Sequence, residues 1–445
     1  MILLIVAFLA MYGCSKREAS PSDSEAGQLV FEETQSVNTQ VEQPEEVQSE
    51  EDQELNDAEK NDNAEENDKD VKPSKPLPAL SESQKKALEA QEILKAHRNK
   101  NLMYSPLQDP EEEYNLNIVK NIHMIAIETG EYSINQTKTN YKIGGTDLGI
   151  SFNLEDKTYI AFGDTFAEEC FTNGWRSNVL AVTTDRDYTD GITFDSMISK
   201  PGLKSAKELI KSKKIDNVEM TTIPTGGIAI GKTLYMSYMS VRHWGAPGEW
   251  DCNYGSVAKS VDNGENWEPI ETLRWPGDSS FCQMAPVVIE DYVYILGITG
   301  GRQGAAKMMR VPIDEYENFE AYEYLVGIDE EGEPLYKTGE AAMYETYSVL
   351  PKAVGELSVL YSDYLQEWLV TYISGTGNIV MRSAKNIYGP YSKPVTLAAQ
   401  KDFPSLYGAF MNPEWVSEDG TKIAFMMSIY DPVYNVILME CELEK

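Results

Sequence analysis

From Tyr141 to the end of the chain, short runs of apolar residues spaced two apart are broken by Gly, Asn, Asp and Pro, and the pattern repeats as a unit five times. Period two is the signature of antiparallel strands with one face buried. Strands that close each sheet partway out read TYIAFGD, LYMSYMSV, VYILGITG, WLVTYISG and IAFMMSIY. Each is followed by a loop and a third strand: VLAVTTD, GSVAKSVD, AAKMMRVP, NIVMRSAK and YNVILMEC. One turn ahead of each lies a first strand, in DLGISF, GGIAIG, APVVIE, LSVLYS and PEWVS. Units of roughly 50 to 75 residues with this order suit an all-β, five-bladed β-propeller of four-stranded blades. The last unit ends at its third strand, so its fourth is expected from the front of the domain, at residues 123–129 (HMIAIET).

A local motif agrees with this. Ser260, Asp262, Gly264 and Trp267 spell S-x-D-x-G-x-x-W, which resembles the Asp-box hairpin of sialidase-like propellers. There the aspartate accepts bonds from turn amides and the tryptophan packs between strands. A weaker relative, RSAKNIYGPYS, occupies the same place in the fourth unit. Both turns join third to fourth strands, so Asp262 is read as structural.

The front of the chain is different in kind. Residues 1–13 are almost wholly apolar and too short to span a bilayer as a helix, and Cys14 follows directly. This resembles a bacterial lipoprotein signal with Cys14 as the acylated residue, which implies an extracytoplasmic protein, either anchored by lipid or secreted. Residues 15–80 are expected to be a disordered acidic linker, because 19 acidic residues against 6 basic ones between positions 15 and 75 leave too little apolar surface to repay ordering. Residues 81–100 carry helix formers behind a Ser81 cap and read as a short helix; the propeller is expected over 101–445.

The net charge of −34 repels a phosphate backbone, which sets nucleic acid aside as a partner. With three histidines and no closely spaced cysteines, no metal and no organic cofactor is expected. Cys170, Cys252, Cys282 and Cys441 leave one disulfide open. A monomer is expected, with a polysaccharide as its partner.

A propeller turns the starts of its innermost strands, and the loops between second and third strands, toward one mouth. The five inner positions expected there are Asp147, Thr225, Gln283, Glu356 and Asn412. Asp164 closes FGDTF and is followed by Arg176 and Asn178 in WRSN. The second-unit loop VRHWGAPGEWD adds Arg242, His243, Trp244 and Glu249, while Arg302, Tyr430 and Asp431 come from later units. Charged groups and aromatics around a shallow mouth suit a sugar polymer. Glycosidic cleavage needs one carboxyl to protonate the leaving oxygen and another to activate water or attack the anomeric carbon.

Asp147 and Glu356 fall in nearly opposite blades, which favours a wide separation and an inverting mechanism. Asp164 is read as catalytic or as support for that pair. An inward Glu356 at the start of an apolar strand calls for a function or an arginine partner, Arg176 or Arg302.

The ordered run GGTDLG, FGDTF, WRSN, PTGG, RHWGAPGEWDCNY, FCQMAP, GELSVLY, GPYS, YGAFMNP and YDPVYNV resembles a bacterial family described as domain of unknown function 4185. Some of its members are grouped as endo-D-arabinanases in glycoside hydrolase family 183. The resemblance spans residues 122–441. It implies a five-bladed extracytoplasmic hydrolase of α-linked D-arabinofuranose polymers, such as mycobacterial arabinogalactan and lipoarabinomannan, with its acidic machinery at Asp147, Asp164 and Glu356. Asn412 departs from the histidine that the motif YGxxxHP carries in many relatives. The alternative from another class is a non-catalytic glycan-binding propeller on a lipoprotein stalk. A sialidase is set aside, because its arginine triad and Tyr–Glu pair have no evident counterparts.

Overall fold

The computed structural model describes residues 119–445 apart from Glu169, Cys170 and Thr172. Cys14, the acidic segment, the helix expected over 81–100 and Cys170 therefore lie outside the described residues. The first described element is β1 (Val119–Ile127), and the first sheet in chain order joins β2 (Leu148–Leu154), β3 (Lys157–Phe162), β4 (Val179–Thr183) and β5 (Ser196–Met197). The second holds β6 (Thr221–Ile230), β7 (Thr233–Trp244), β8 (Trp250–Ser260) and β9 (Glu268–Pro276). The third runs β10 (Gln283–Ile289), β11 (Tyr292–Ile298), β12 (Lys307–Pro312), β13 (Glu323–Ile328) and an extra outer strand, β14 (Pro334–Thr338). β15 (Val354–Ser362), β16 (Glu367–Ser374), β17 (Ile379–Ala384) and β18 (Val395–Ala398) form the fourth.

The fifth sheet is ordered β1, then β21 (Asn435–Leu443), β20 (Lys422–Ile429) and β19 (Leu406–Val416). The front of the domain thus supplies the missing fourth strand, with Val119 opposite Leu443 and Ile127 opposite Ile437. The first strands touch their neighbours in the order β2, β6, β10, β15, β19 and back to β2. That closes a ring of five blades around an axis, an all-β propeller.

Burial explains why different strands read differently. In the middle of a blade both faces are covered by neighbouring blades, so strand interiors become continuous apolar runs. All of β4 is buried, as is β20 after Lys422. The outer strand β9 is wetted on one side and alternates.

The Asp-box hairpin between β8 and β9 is a structural clasp. Asp262 Oδ1 accepts from Asn266 N at 2.9 Å and from Ser260 Oγ at 2.8 Å, and the same Ser260 oxygen accepts from Gly264 N at 3.0 Å. Trp267 meets the edge of Phe152 in the neighbouring blade with centroids 6.4 Å apart, a contact worth about 1 kcal/mol beyond its buried area.

Two inner strands begin earlier than their apolar pattern indicates. β6 starts at Thr221, ahead of GGIAIG, and β19 starts at Leu406, ahead of PEWVS. The cause is bulging. Register shifts interrupt β19 between Tyr407 and Phe410 and again between Met411 and Val416, and β6 between Pro224 and Gly226. An extra residue in a strand breaks period two and re-aims the side chains next to it. Similar shifts lie at Leu148/Ile150 and Val354/Leu357, so four of the five inner strands bulge near the same end.

Candidate active site

Asp147 sits just before β2, where Leu148 and Gly149 both take positive φ (73° and 86°) through the bulge. The preceding segment is pinned by Thr146 N donating to Tyr434 O at 2.8 Å, and Leu148 N donates to Ser428 Oγ at 2.7 Å. One carboxyl oxygen, Oδ2, accepts from the Tyr407 hydroxyl at 2.8 Å. The other, Oδ1, is buried without a hydrogen-bond partner. It rests against the backbone of Gly163, where a Cβ would stand 2.4 Å from it.

Asp164 follows at the end of β3. Its Oδ1 accepts from Trp175 Nε1 at 2.7 Å and from Thr221 Oγ1 at 2.6 Å. Burial pushes the Asp147 carboxyl up to about 7, against the steadying effect of Tyr434 and Tyr407; the charges of Asp164 and Glu356 push it the same way. Burial raises Asp164 to about 6, while Thr221, Trp175 and the Lys214 charge hold it back. Lys214 Nζ lies 4.9 Å from the Trp175 ring centre.

Glu356 lies in the β15 bulge, 8 % exposed. Expected as the second reacting carboxyl, it instead has both oxygens engaged by Arg302, whose Nε reaches Oε1 and Oε2 at 3.0 and 2.9 Å while Nη2 reaches Oε1 at 2.7 Å. Arg302 is thus the partner that the buried glutamate requires. The guanidinium also faces two rings, Tyr407 at 5.0 Å and Trp250 at 5.7 Å. Trp250 meets Trp244 edge-on at 5.5 Å. Asp147, Tyr407, Arg302 and Glu356 therefore form one connected chain across four blades.

Several residues expected to touch substrate are occupied otherwise. Arg176 spends its guanidinium on the carbonyls of Ala206, Lys142 and Gly174, and its backbone pairs with Thr165, so it latches the loop that carries Asp164. Asn178 is fully buried; its amide donates to Ile210 O and Thr222 O, and its oxygen accepts from Leu209 N and Ile210 N. Gln283 donates to Thr299 O and Gly301 O, which fixes the loop presenting Arg302. Thr225 Oγ1 accepts from Met284 N and ties β6 to β10.

Asn412 is fully buried and exchanges bonds with Asn153, near the far end of β2. The early start of β19 explains this: Tyr407, five residues upstream, takes the position at the mouth.

The long hairpin of β7 and β8 carries the rest. Arg242 pairs with Asp251 at 2.9 Å on an exposed surface, His243 Nδ1 meets Asp216 Oδ1 at 2.7 Å, and Glu249 is exposed at the tip. Asp431 is exposed, and Tyr430 packs on Phe171 with centroids 5.0 Å apart. Tyr407, Tyr434, Trp175 and Thr221, which hold the two aspartates, were missed in the sequence. For Tyr407 a usable signal existed, since it opens the YGAFMNP run.

The family described as "Domain of unknown function (DUF4185)" matches residues 132–440. The chain belongs to this family. A curated relative, notoamide biosynthesis cluster protein J of Aspergillus sp. (strain MF297-2), is 27 % identical over 316 residues, covering 66 % of this chain and 82 % of that protein. Among solved structures, a protein of Bacteroides ovatus ATCC 8483, named provisionally as a hydrolase, superposes with a TM-score of 0.51 at 12 % identity over 75 % of this chain and 93 % of its own. A GH43_1 enzyme from Xanthomonas citri gives a TM-score of 0.42 at 12 % identity over 67 % and 88 %. At this identity the likeness to the Bacteroides ovatus protein speaks to the fold alone.

The DUF4185 mouth thus offers two half-buried aspartates raised toward neutrality, one with a buried oxygen that makes no hydrogen bond, beside the Glu356–Arg302 fork and aromatic walls. Among the described residues no group of three or more His, Cys, Asp or Glu side chains could hold a metal ion. The chemistry within reach is proton transfer at a bound polar substrate.

Proposed function

We propose that this mouth is the catalytic centre of a glycoside hydrolase acting on a furanoside polymer, in the first instance D-arabinan, with cleavage within the chain. The observation that carries the reading is the pair Asp147 and Asp164, neighbours whose surroundings raise them to about 7 and about 6. Two neighbouring carboxyls both raised toward neutrality by burial suit an acid and base pair. Asp147 is the general acid: it holds a proton near neutrality, and no hydrogen bond to its buried Oδ1 competes for that proton. Asp164 ionises first and acts on water or the anomeric carbon.

Glu356 keeps Arg302 charged and fixed, and the inverting outcome expected for an Asp147–Glu356 pair loses that ground. Trp250 and Trp244 supply a wall for sugar rings. The likeness to the Bacteroides ovatus protein named provisionally as a hydrolase is compatible with this reading at the level of fold. The protein is further proposed to work as a monomer outside the cytoplasmic membrane, held through Cys14.

The test is incubation of the full chain with plant L-arabinan, mycobacterial D-arabinan and bacterial wall polysaccharides, with analysis of released oligosaccharides. Oligosaccharides from D-arabinan support the reading. Retention on a polymer that is never cut would favour the glycan-binding alternative.

A further inference from the structure

Cys252 lies near the start of β8 and Cys282 just before β10, so they belong to neighbouring blades. Their segments approach so closely that three glycines are needed around them. A Cβ at Gly277 would stand 2.0 Å from the Cys252 carbonyl oxygen, one at Gly255 2.9 Å from Cys282 Cα, and one at Gly300 3.1 Å from Cys252 Sγ. The Gly277 carbonyl in turn accepts the Cys282 thiol at 3.2 Å, so a single residue touches both cysteines. Cys282 N donates to Ile298 O at 3.1 Å, two residues before the Gly300 that adjoins Cys252 Sγ, and the nearby Cys282, ahead of burial, raises the Cys252 thiol. Both cysteines are free in this structure.

We propose that Cys252 and Cys282 are a disulfide site that staples blade two to blade three beneath the mouth. The two thiols lose two protons and two electrons to an external disulfide, which is reduced to two thiols while the Sγ–Sγ bond forms. Cys252 is two residues beyond Trp250, and Cys282 precedes Gln283, which holds the loop bearing Arg302. The staple therefore braces the wall formed by Trp250 and Arg302. It requires nothing of the saccharide reading and survives if that reading fails.

The test treats the full chain with excess oxidised glutathione, blocks remaining thiols with N-ethylmaleimide in denaturant, and digests with trypsin. Cys252 falls in the peptide 243–259 and Cys282 in 275–302. The expected product is these two peptides joined, two hydrogens lighter than their reduced sum. In Cys252→Ser, Cys282 takes up N-ethylmaleimide or glutathione instead. Reductant should lower the melting temperature of the oxidised protein by about 5 °C and leave Cys252→Ser unmoved. Label or glutathione on either cysteine of the wild type, or a link from either to another cysteine, overturns the proposal.

Discussion

Tyr407 donates its hydroxyl to Asp147 Oδ2 at 2.8 Å while its ring lies 5.0 Å from the Arg302 guanidinium, so one side chain of the last inner strand touches both halves of the carboxyl cluster. That bond favours the charged form of Asp147. Removing it in Tyr407→Phe should raise the Asp147 pKa. With Asp147 as acid and Asp164 as base, kcat/KM rises with pH through about 6 and falls through about 7. The variant's falling limb should move to higher pH and its kcat drop about tenfold. Hydrolysis rates across pH read both; an unmoved falling limb would separate Tyr407 from the acid.

Gly163 is required by its neighbour rather than by its own backbone. A Cβ there would stand 2.4 Å from Asp147 Oδ1, so Gly163→Ala must displace the carboxyl. A shift of about 1 Å at a reacting group costs on the order of 100-fold in rate. Circular dichroism should show the fold intact while turnover falls by that factor.

The Glu356–Arg302 fork is partly buried, with side-chain exposures of 9 % and 25 %. Glu356→Ala leaves the guanidinium without its counter-charge, which for a buried pair costs about 3 to 5 kcal/mol. Urea denaturation should show this loss. Asp147→Asn should cost far less, because Asp147 pairs with no cation.

Stability should fall as pH rises through the mildly acidic range. Unfolded aspartates release their protons near 4, whereas the folded protein keeps them on Asp164 to about 6 and on Asp147 to about 7. In that window the native state binds more protons than the unfolded state, so unfolding becomes easier with increasing pH. Urea midpoints at pH 5 and pH 7.5 should differ in that direction for the wild type and less for Asp147→Asn. A midpoint that rises with pH at the same rate in both would show that these carboxyls titrate normally.

The fold was legible because a blade's middle strands are buried on both faces and announce themselves as apolar runs, and because β21 lacks a following partner that only β1 can provide. The placement of Asp147, Asp164 and Glu356 near strand ends followed from the same alternation. It failed where bulges interrupt the count. In β19 the register shifts hid a start at Leu406, which sent Asn412 to the mouth and left Tyr407 unnoticed. Arg176 and Asn178 show a second limit. Their types suit a sugar site, but their bonds run to backbone groups of residues 142 and 206–222, a pairing that no local pattern encodes. The Glu356–Arg302 fork joins residues 54 apart and was foreseen only as one of two pairings.

The most direct measurement is the rate of oligosaccharide release from D-arabinan by wild-type protein and by Asp147→Asn, with retention on the same polymer recorded alongside. Asp147 as the general acid requires release by the wild type, a fall of at least about 1000-fold in the variant, and undiminished retention. Equal release by both proteins, with the polymer held equally well, would contradict it.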